Sequence, residues 1–166
     1  MTPEERARTI AYLDLAEGRG RVPLLDDAGV RDLLQRARRI AVIGASDRPG
    51  RASYDVFRRL LSVGFDCVPV NPKVASVEGI AAYATLEDAV NETGPFDIVD
   101  VFRRPELCAE HAREAVASGA SCLWLQLGIV DWESARIAHD GGLAVVMDRC
   151  LSVEWRRLGR RLTEGA

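Results

Sequence analysis

Five apolar runs punctuate the chain: IAVIG at 40–44, FDCVPV at 65–70, FDIVDVF at 96–102, SCLWLQL at 121–127 and LAVVM at 143–147. Each is nearly continuous rather than alternating, as expected of strands covered on both faces of a parallel sheet. Between them, apolar positions recur at helical spacing. In SYDVFRRLLSVG, Val56, Leu60 and Val63 form one stripe with Phe57 and Leu61 on its flank. Ser53 is the expected N-cap there and Gly64 the expected stop. RPELCAEHAREAVASG predicts a helix from Pro105 to Gly119, and DWESARIAHDGG one from Asp131 to Gly141. The link 71–95 is irregular and holds one weak helix, TLEDAV, capped by Thr85. The tail LSVEWRRLGRRL predicts a last helix.

Strand and helix in alternation predict right-handed βαβ units and a Rossmann-like, three-layer, doubly wound α/β domain. Five parallel strands are expected in the order 3-2-1-4-5, the third weak or absent near 79–83. Two helices precede the first strand, over 3–16 and 26–37, joined by GRGRVPLL. They are expected to pack on the domain, giving a helical extension over 1–25 and a main domain over 26–166.

Composition narrows the function. A net charge of −3 over 166 residues predicts no general affinity for nucleic acid or anionic membrane. No apolar run approaches the roughly 18–20 residues that span a bilayer, and the charged N-terminus lacks the apolar centre of a secretory signal. A cytoplasmic protein is therefore expected. Cys67, Cys108, Cys122 and Cys150 are scattered without a C-x-x-C and read as reduced thiols. The two histidines, His111 and His139, do not cluster with them in sequence, so no metal site is expected.

In open α/β sheets, ligands bind beyond the carboxyl ends of the strands, where strand order reverses. The loop GASDRPGRAS, residues 44–53, is placed there. Gly44 permits a sharp turn out of the strand. Backbone N–H groups from Ala45 to Ser53, aided by the helix that follows, suit an anion. Ser46 and Ser53 add hydroxyls, and Arg48 and Arg51 add phosphate-pairing cations. The loop lacks the second glycine of G-x-G-x-x-G and the Gly-Lys-Ser/Thr of a Walker A loop. The second strand ends in VPVNPK, so Asn71 and Lys73 stand where an NAD site carries an acidic residue. Lys73, the chain's one lysine, favours an additional phosphate on the adenosine ribose.

The blocks GASDRPGRASY, VPVNPK, VDVFRRPE, WLQLGI and VMDRC…E closely resemble the small CoA-binding proteins. These are stand-alone domains related to the CoA-binding domain of the succinyl-CoA synthetase α subunit. The resemblance covers about residues 30–160. It implies a bound coenzyme A whose diphosphate lies on Gly44, Ala45, Ser46, Arg51 and Ser53, with Lys73 facing the 3′-phosphate. It also implies that Val70, Asn71 and Pro72 border the adenosine, and that Phe102, Arg103 and Arg104 close over the ligand. Gln126, Gly128 and Ile129 would line the route of the pantetheine arm. The partner implied is CoA or an acyl-CoA.

Catalysis needs an acid–base group or nucleophile set against the reacting atom. His111 and His139 both read as helix-surface residues. The end of the fifth apolar run, VMDRCLSVE, places Asp148, Arg149, Cys150 and Glu154 near the crevice. Two readings of it stand: a mixed disulfide of Cys150 with CoA, or a small structural cysteine beside an Asp148–Arg149 ion pair. The leading expectation is a CoA-binding module without catalysis of its own. The rivals are an NADP-dependent oxidoreductase and a redox or regulatory protein acting through Cys150.

Overall fold

The structure, a computed structural model, describes residues 1–159. The chain runs α1 (Pro3–Ala16), α2 (Asp27–Arg36), β1 (Arg39–Ile43), α3 (Ala52–Ser62), β2 (Asp66–Val70), β3 (Ser76–Val77), β4 (Ile80–Ala81), α4 (Leu86–Thr93). It continues β5 (Ile98–Val101), α5 (Pro105–Ser118), β6 (Cys122–Leu125), α6 (Trp132–Asp140), β7 (Ala144–Val146) and α7 (Leu151–Glu154), which passes into a π-helical turn, Trp155–Gly159. The predicted tail helix is thus a short α segment followed by a π turn, and its residues beyond 159 lie outside the described part.

The five apolar runs form one parallel sheet in the order β2-β1-β5-β6-β7. The chain crosses from one side of β1 to the other between β2 and β5, and that switch point positions the site. In the expected order 3-2-1-4-5 the third strand is reduced to a bridge, and the far edge gains one more strand, β7. The 79–83 stretch adds no full strand beyond β2. Glu78 and Gly79 turn with φ of 50° and 77°, so the segment folds back into the two-residue antiparallel pair β3–β4. One parallel bridge, Val70 to Tyr83, is what remains of that strand, and β7 supplies the opposite edge.

Continuous apolarity in the strands is explained by burial on both faces. Ala41, Ile43, Val99, Val101, Leu123 and Leu125 face a core built with α4, α5 and α6. Ile40, Val42, Ile98, Cys122 and Trp124 face a second core built with α2, α3 and the C-terminal turns. Asp100 lies in register with Val42 and Trp124, and is the one carboxylate wholly buried among the described residues.

Helix starts follow the predicted chemistry in most places. Thr85 accepts from the Asp88 N–H at 3.1 Å and Asp131 from the Ser134 N–H at 3.1 Å. Ser53 differs. The residue preceding α3 is Arg51, which makes no side-chain cap, and Ser53 lies inside the first turn with its hydroxyl turned to the preceding loop. No described helix is long and apolar enough to cross a membrane.

Candidate functional site

The loop after β1 is held by contacts that cross the switch point. Gly44 has φ of 83°, and its N–H donates to the Val70 carbonyl at 2.9 Å. A Cβ at this position would stand 2.4 Å from the Phe102 carbonyl oxygen, so the loop after β5 presses directly on the glycine backbone. Ala45 is buried, and its carbonyl accepts from Asn71 Nδ2 at 2.9 Å. The Ser46 N–H donates to Ser53 Oγ at 3.0 Å, and Ser46 Oγ accepts from the Arg48 N–H at 3.1 Å. Part of the expected donor set is thereby spent on shaping the loop.

What the loop leaves open is the start of α3. Helices α1, α2, α4 and α6 carry side-chain caps from Thr2, Asp26, Thr85 and Asp131. By contrast, α3 and α5, which both begin at the switch point, have Arg51 and Arg104 at the cap position and no side-chain cap bond. Of the two, only the start of α3 lines the crevice, with a cation where local rules prefer a neutral or acidic cap; α5 has Glu106 in its first turn.

Gly44, Ser46, Arg48, Arg51, Ser53, Asn71, Lys73 and Phe102 line one crevice of about 550 Å³, together with Asp47, Ala52 and Val74. A smaller hollow of about 150 Å³ adjoins it through Gly44 and Asn71, and takes in Val70, Pro72 and Arg103. Arg104 is exposed and stands 4.0 Å from Glu106, outside both. Three cations against the single carboxylate of Asp47 make the larger crevice suited to a polyanion. A cleft of about 440 Å³ between α4 and α5 carries Glu87 and Glu114 instead, which suits it to no such ligand.

The next loop differs from expectation. Gln126 is 2% exposed, and its Nε2 donates to both carboxyl oxygens of Asp100, at 2.9 and 3.1 Å. Its amide is turned into the sheet, away from any passing ligand. Burial pushes the Asp100 carboxyl up to about 8, with Gln126 pulling weakly the other way. Gly128 stays exposed at φ 88°, its N–H donating to Asp148 at 2.8 Å, and Ile129 packs on the core edge.

His111 and Glu114 of α5 enter the smaller hollow. His111, expected on the helix surface, is only 18% exposed in its side chain, and its Nδ1 is 3.2 Å from Glu114. The proposed Asp148–Arg149 pair is replaced by a longer-range cluster. Arg149 and Arg157 share Asp27 and Glu154, which ties the start of α2 to the C-terminal turns. The Cys150 thiol is half-buried, 3.3 Å from the Ser152 hydroxyl. Cys67 and Cys122 are buried strand residues whose thiols burial pushes far up, and burial holds that of Cys108 at about 12.

A five-stranded parallel sheet covered by helices on both faces, with a cation-lined crevice at its switch point, defines a Rossmann-like α/β domain. The family model described as CoA binding domain matches residues 38–156, and the chain belongs to that family. YneT of Bacillus subtilis is 38% identical over 126 residues, covering 76% of this chain and 91% of that protein. The α subunit of the ADP-forming acetate–CoA ligase II of Pyrococcus furiosus is 27% identical over 130 residues, 74% of this chain and 28% of that subunit. Among solved structures, a Thermus thermophilus protein superposes with a TM-score of 0.75 at 38% identity, covering 81% of this chain and 99% of its own. A Pyrococcus horikoshii protein does so at 0.76 and 34%, covering 81% and 92%.

Proposed function

We propose that the protein binds coenzyme A or an acyl-CoA in the switch crevice and performs no catalysis of its own. The observation that carries this reading is the crevice in which the uncapped start of α3 meets Arg48, Arg51 and Lys73, in a domain of the CoA-binding family. The diphosphate lies against Gly44, Ser46 and Ser53 at the start of α3, paired by Arg48 and Arg51. Lys73 takes the 3′-phosphate, and Val70, Asn71 and Pro72 border the adenosine. Phe102 and Arg103 close from the β5 side, with Arg104 at the rim. The pantetheine arm then runs past Gly128 and Ile129. Gln126 acts from inside the sheet, through Asp100, rather than by touching the arm. Ala45 serves by its carbonyl, as the anchor for Asn71.

Thermal denaturation with CoA, dephospho-CoA, NADP and NAD tests this. A ligand at a hundred times its Kd adds about 2.7 kcal/mol, which for a domain of this size raises Tm by roughly 5–10 °C. CoA is expected to give that shift, dephospho-CoA less, and NAD none. A shift with NADP or NAD and none with CoA would refute the proposal.

A further inference from the structure

Helix α1 lies outside the residues that match the family, yet its docking is specific. Its inward face carries Arg8, Ala11, Tyr12 and Leu15, spaced three and four apart; Ala11, Tyr12 and Leu15 pack on the core. Two of these positions bond to successive loops beyond the carboxyl ends of the sheet, and a third lies in the field of the next loop. The Arg8 guanidinium is 3.4 Å from Glu106, in the first turn of α5 after β5. The Ala11 carbonyl accepts from Trp132 Nε1 at 3.2 Å, in the first turn of α6 after β6. The Tyr12 phenol is held above its ordinary range by burial and then by the charge of Asp148, which follows β7. The strap continues beyond the helix: Gly20 lies so close on the Trp132 ring that a Cβ there would stand 1.8 Å from it.

This path coincides with the far end of the ligand proposed above, on which the inference rests. Neighbouring strands are about 4.8 Å apart, so three steps from Gly44 at β1 across β5 and β6 to Asp148 beyond β7 span roughly 14 Å. The pantetheine arm, of about twelve bonds from phosphate oxygen to sulfur, has the reach of four extended residues, roughly 13–14 Å. With its diphosphate at Gly44 and its adenosine over β2, the coenzyme brings its sulfur beneath α1. The Asp148 carboxylate accepts from the Gly128 N–H. Among the described hydrogen bonds, the Tyr12 hydroxyl has no protein partner.

We propose that α1 walls the thiol end of the crevice and that the Tyr12 hydroxyl donates to the carbonyl oxygen of a bound CoA thioester. The added helix makes the chain a reader of acylated coenzyme, with Tyr12 as the residue that discriminates it from the free thiol. Arg8 is a positioning residue, linking α1 through Glu106 to Arg104 at the rim.

The test is calorimetric titration of the full chain and of Tyr12→Phe with 3′-phospho-ADP, CoA and acetyl-CoA, alongside hydrogen exchange of the α1 amides. The substitution keeps the ring and its packing. It is expected to leave 3′-phospho-ADP affinity unchanged and to weaken acetyl-CoA about three- to tenfold, the loss of one hydrogen bond. In the unaltered chain, acetyl-CoA is expected to slow exchange in residues 3–16, and 3′-phospho-ADP is not. Equal acetyl-CoA affinity in both chains, or α1 exchange indifferent to acetyl-CoA, overturns the role given to α1 and Tyr12. Failure of all three ligands to bind the unaltered chain overturns the CoA reading itself, and this inference with it.

Discussion

The side chain of Asn71 bridges the two loops of the crevice, its Nδ2 donating to the Ala45 carbonyl at 2.9 Å while its Oδ1 accepts the Lys73 N–H at 2.9 Å. One amide thus sets the spacing between the loop proposed for the diphosphate and the lysine proposed for the 3′-phosphate. Asn71→Ala removes both bonds. It is expected to cost about 1–2 kcal/mol of stability in chemical denaturation. CoA affinity should fall further than that packing loss alone explains, because the two anion sites lose their common frame. Asn71→Asp keeps the acceptor, abolishes the donor and adds charge beside the phosphates, so its affinity should be lower still.

Gly44 presents a different constraint. Its φ of 83° and the 2.4 Å approach of the Phe102 carbonyl to its absent Cβ both exclude a side chain. Gly44→Ala is expected to destabilise the fold by more than about 2 kcal/mol, measured by denaturant midpoint. Gly50, also at positive φ (89°), meets nothing within 4 Å of its Cβ direction. Gly50→Ala therefore carries the backbone strain alone and should cost distinctly less.

Asp100 makes stability depend on pH in an unusual direction. Its carboxyl is held at about 8 in the folded protein by burial, against an ordinary 3.8. The folded chain therefore keeps a proton that the unfolded chain releases. Between about pH 4 and pH 8 this group makes stability fall as pH rises, by up to about 1.4 kcal/mol per pH unit, and above pH 8 its effect levels off. Asp100→Asn preserves the shape without the titration. Its denaturation midpoint should stay flat across that window, where the unaltered chain declines.

How far the sequence reveals the site depends on what each residue's role requires. The places of Gly44 and Lys73 in the crevice were legible because they follow from backbone position at the end of a strand; the uncapped start of α3 was not, since Ser53 reads as its cap. Gln126 was not. A residue just past a strand is placed at the crevice by the pattern, but the direction of its side chain is decided by Asp100, buried one strand away. Asp100 itself sits inside FDIVDVF, a mostly apolar run that gives no sign of which of its two aspartates is buried. His111 lies at the border of the buried face of α5, where helical phase alone does not separate surface from crevice. The partners of Arg149 stand at Asp27 and Glu154, and a pairing with residue 27 leaves no local trace. The weak or absent strand expected at 79–83 is reduced to one bridge because Glu78 and Gly79, both at positive φ, turn the chain back, and only the glycine signals that turn in sequence.

The central claim is that Lys73 reads a third phosphate beyond the diphosphate loop, which makes the crevice a site for coenzyme A and not for a plain dinucleotide. Calorimetric titration of CoA and dephospho-CoA into the unaltered chain and into Lys73→Ala tests it most directly. The unaltered chain is expected to prefer CoA by about tenfold or more, the worth of one charge-assisted contact. Lys73→Ala should lose that preference while still binding dephospho-CoA as before. Equal affinity for the two ligands in the unaltered chain, or a preference that survives in Lys73→Ala, would contradict it.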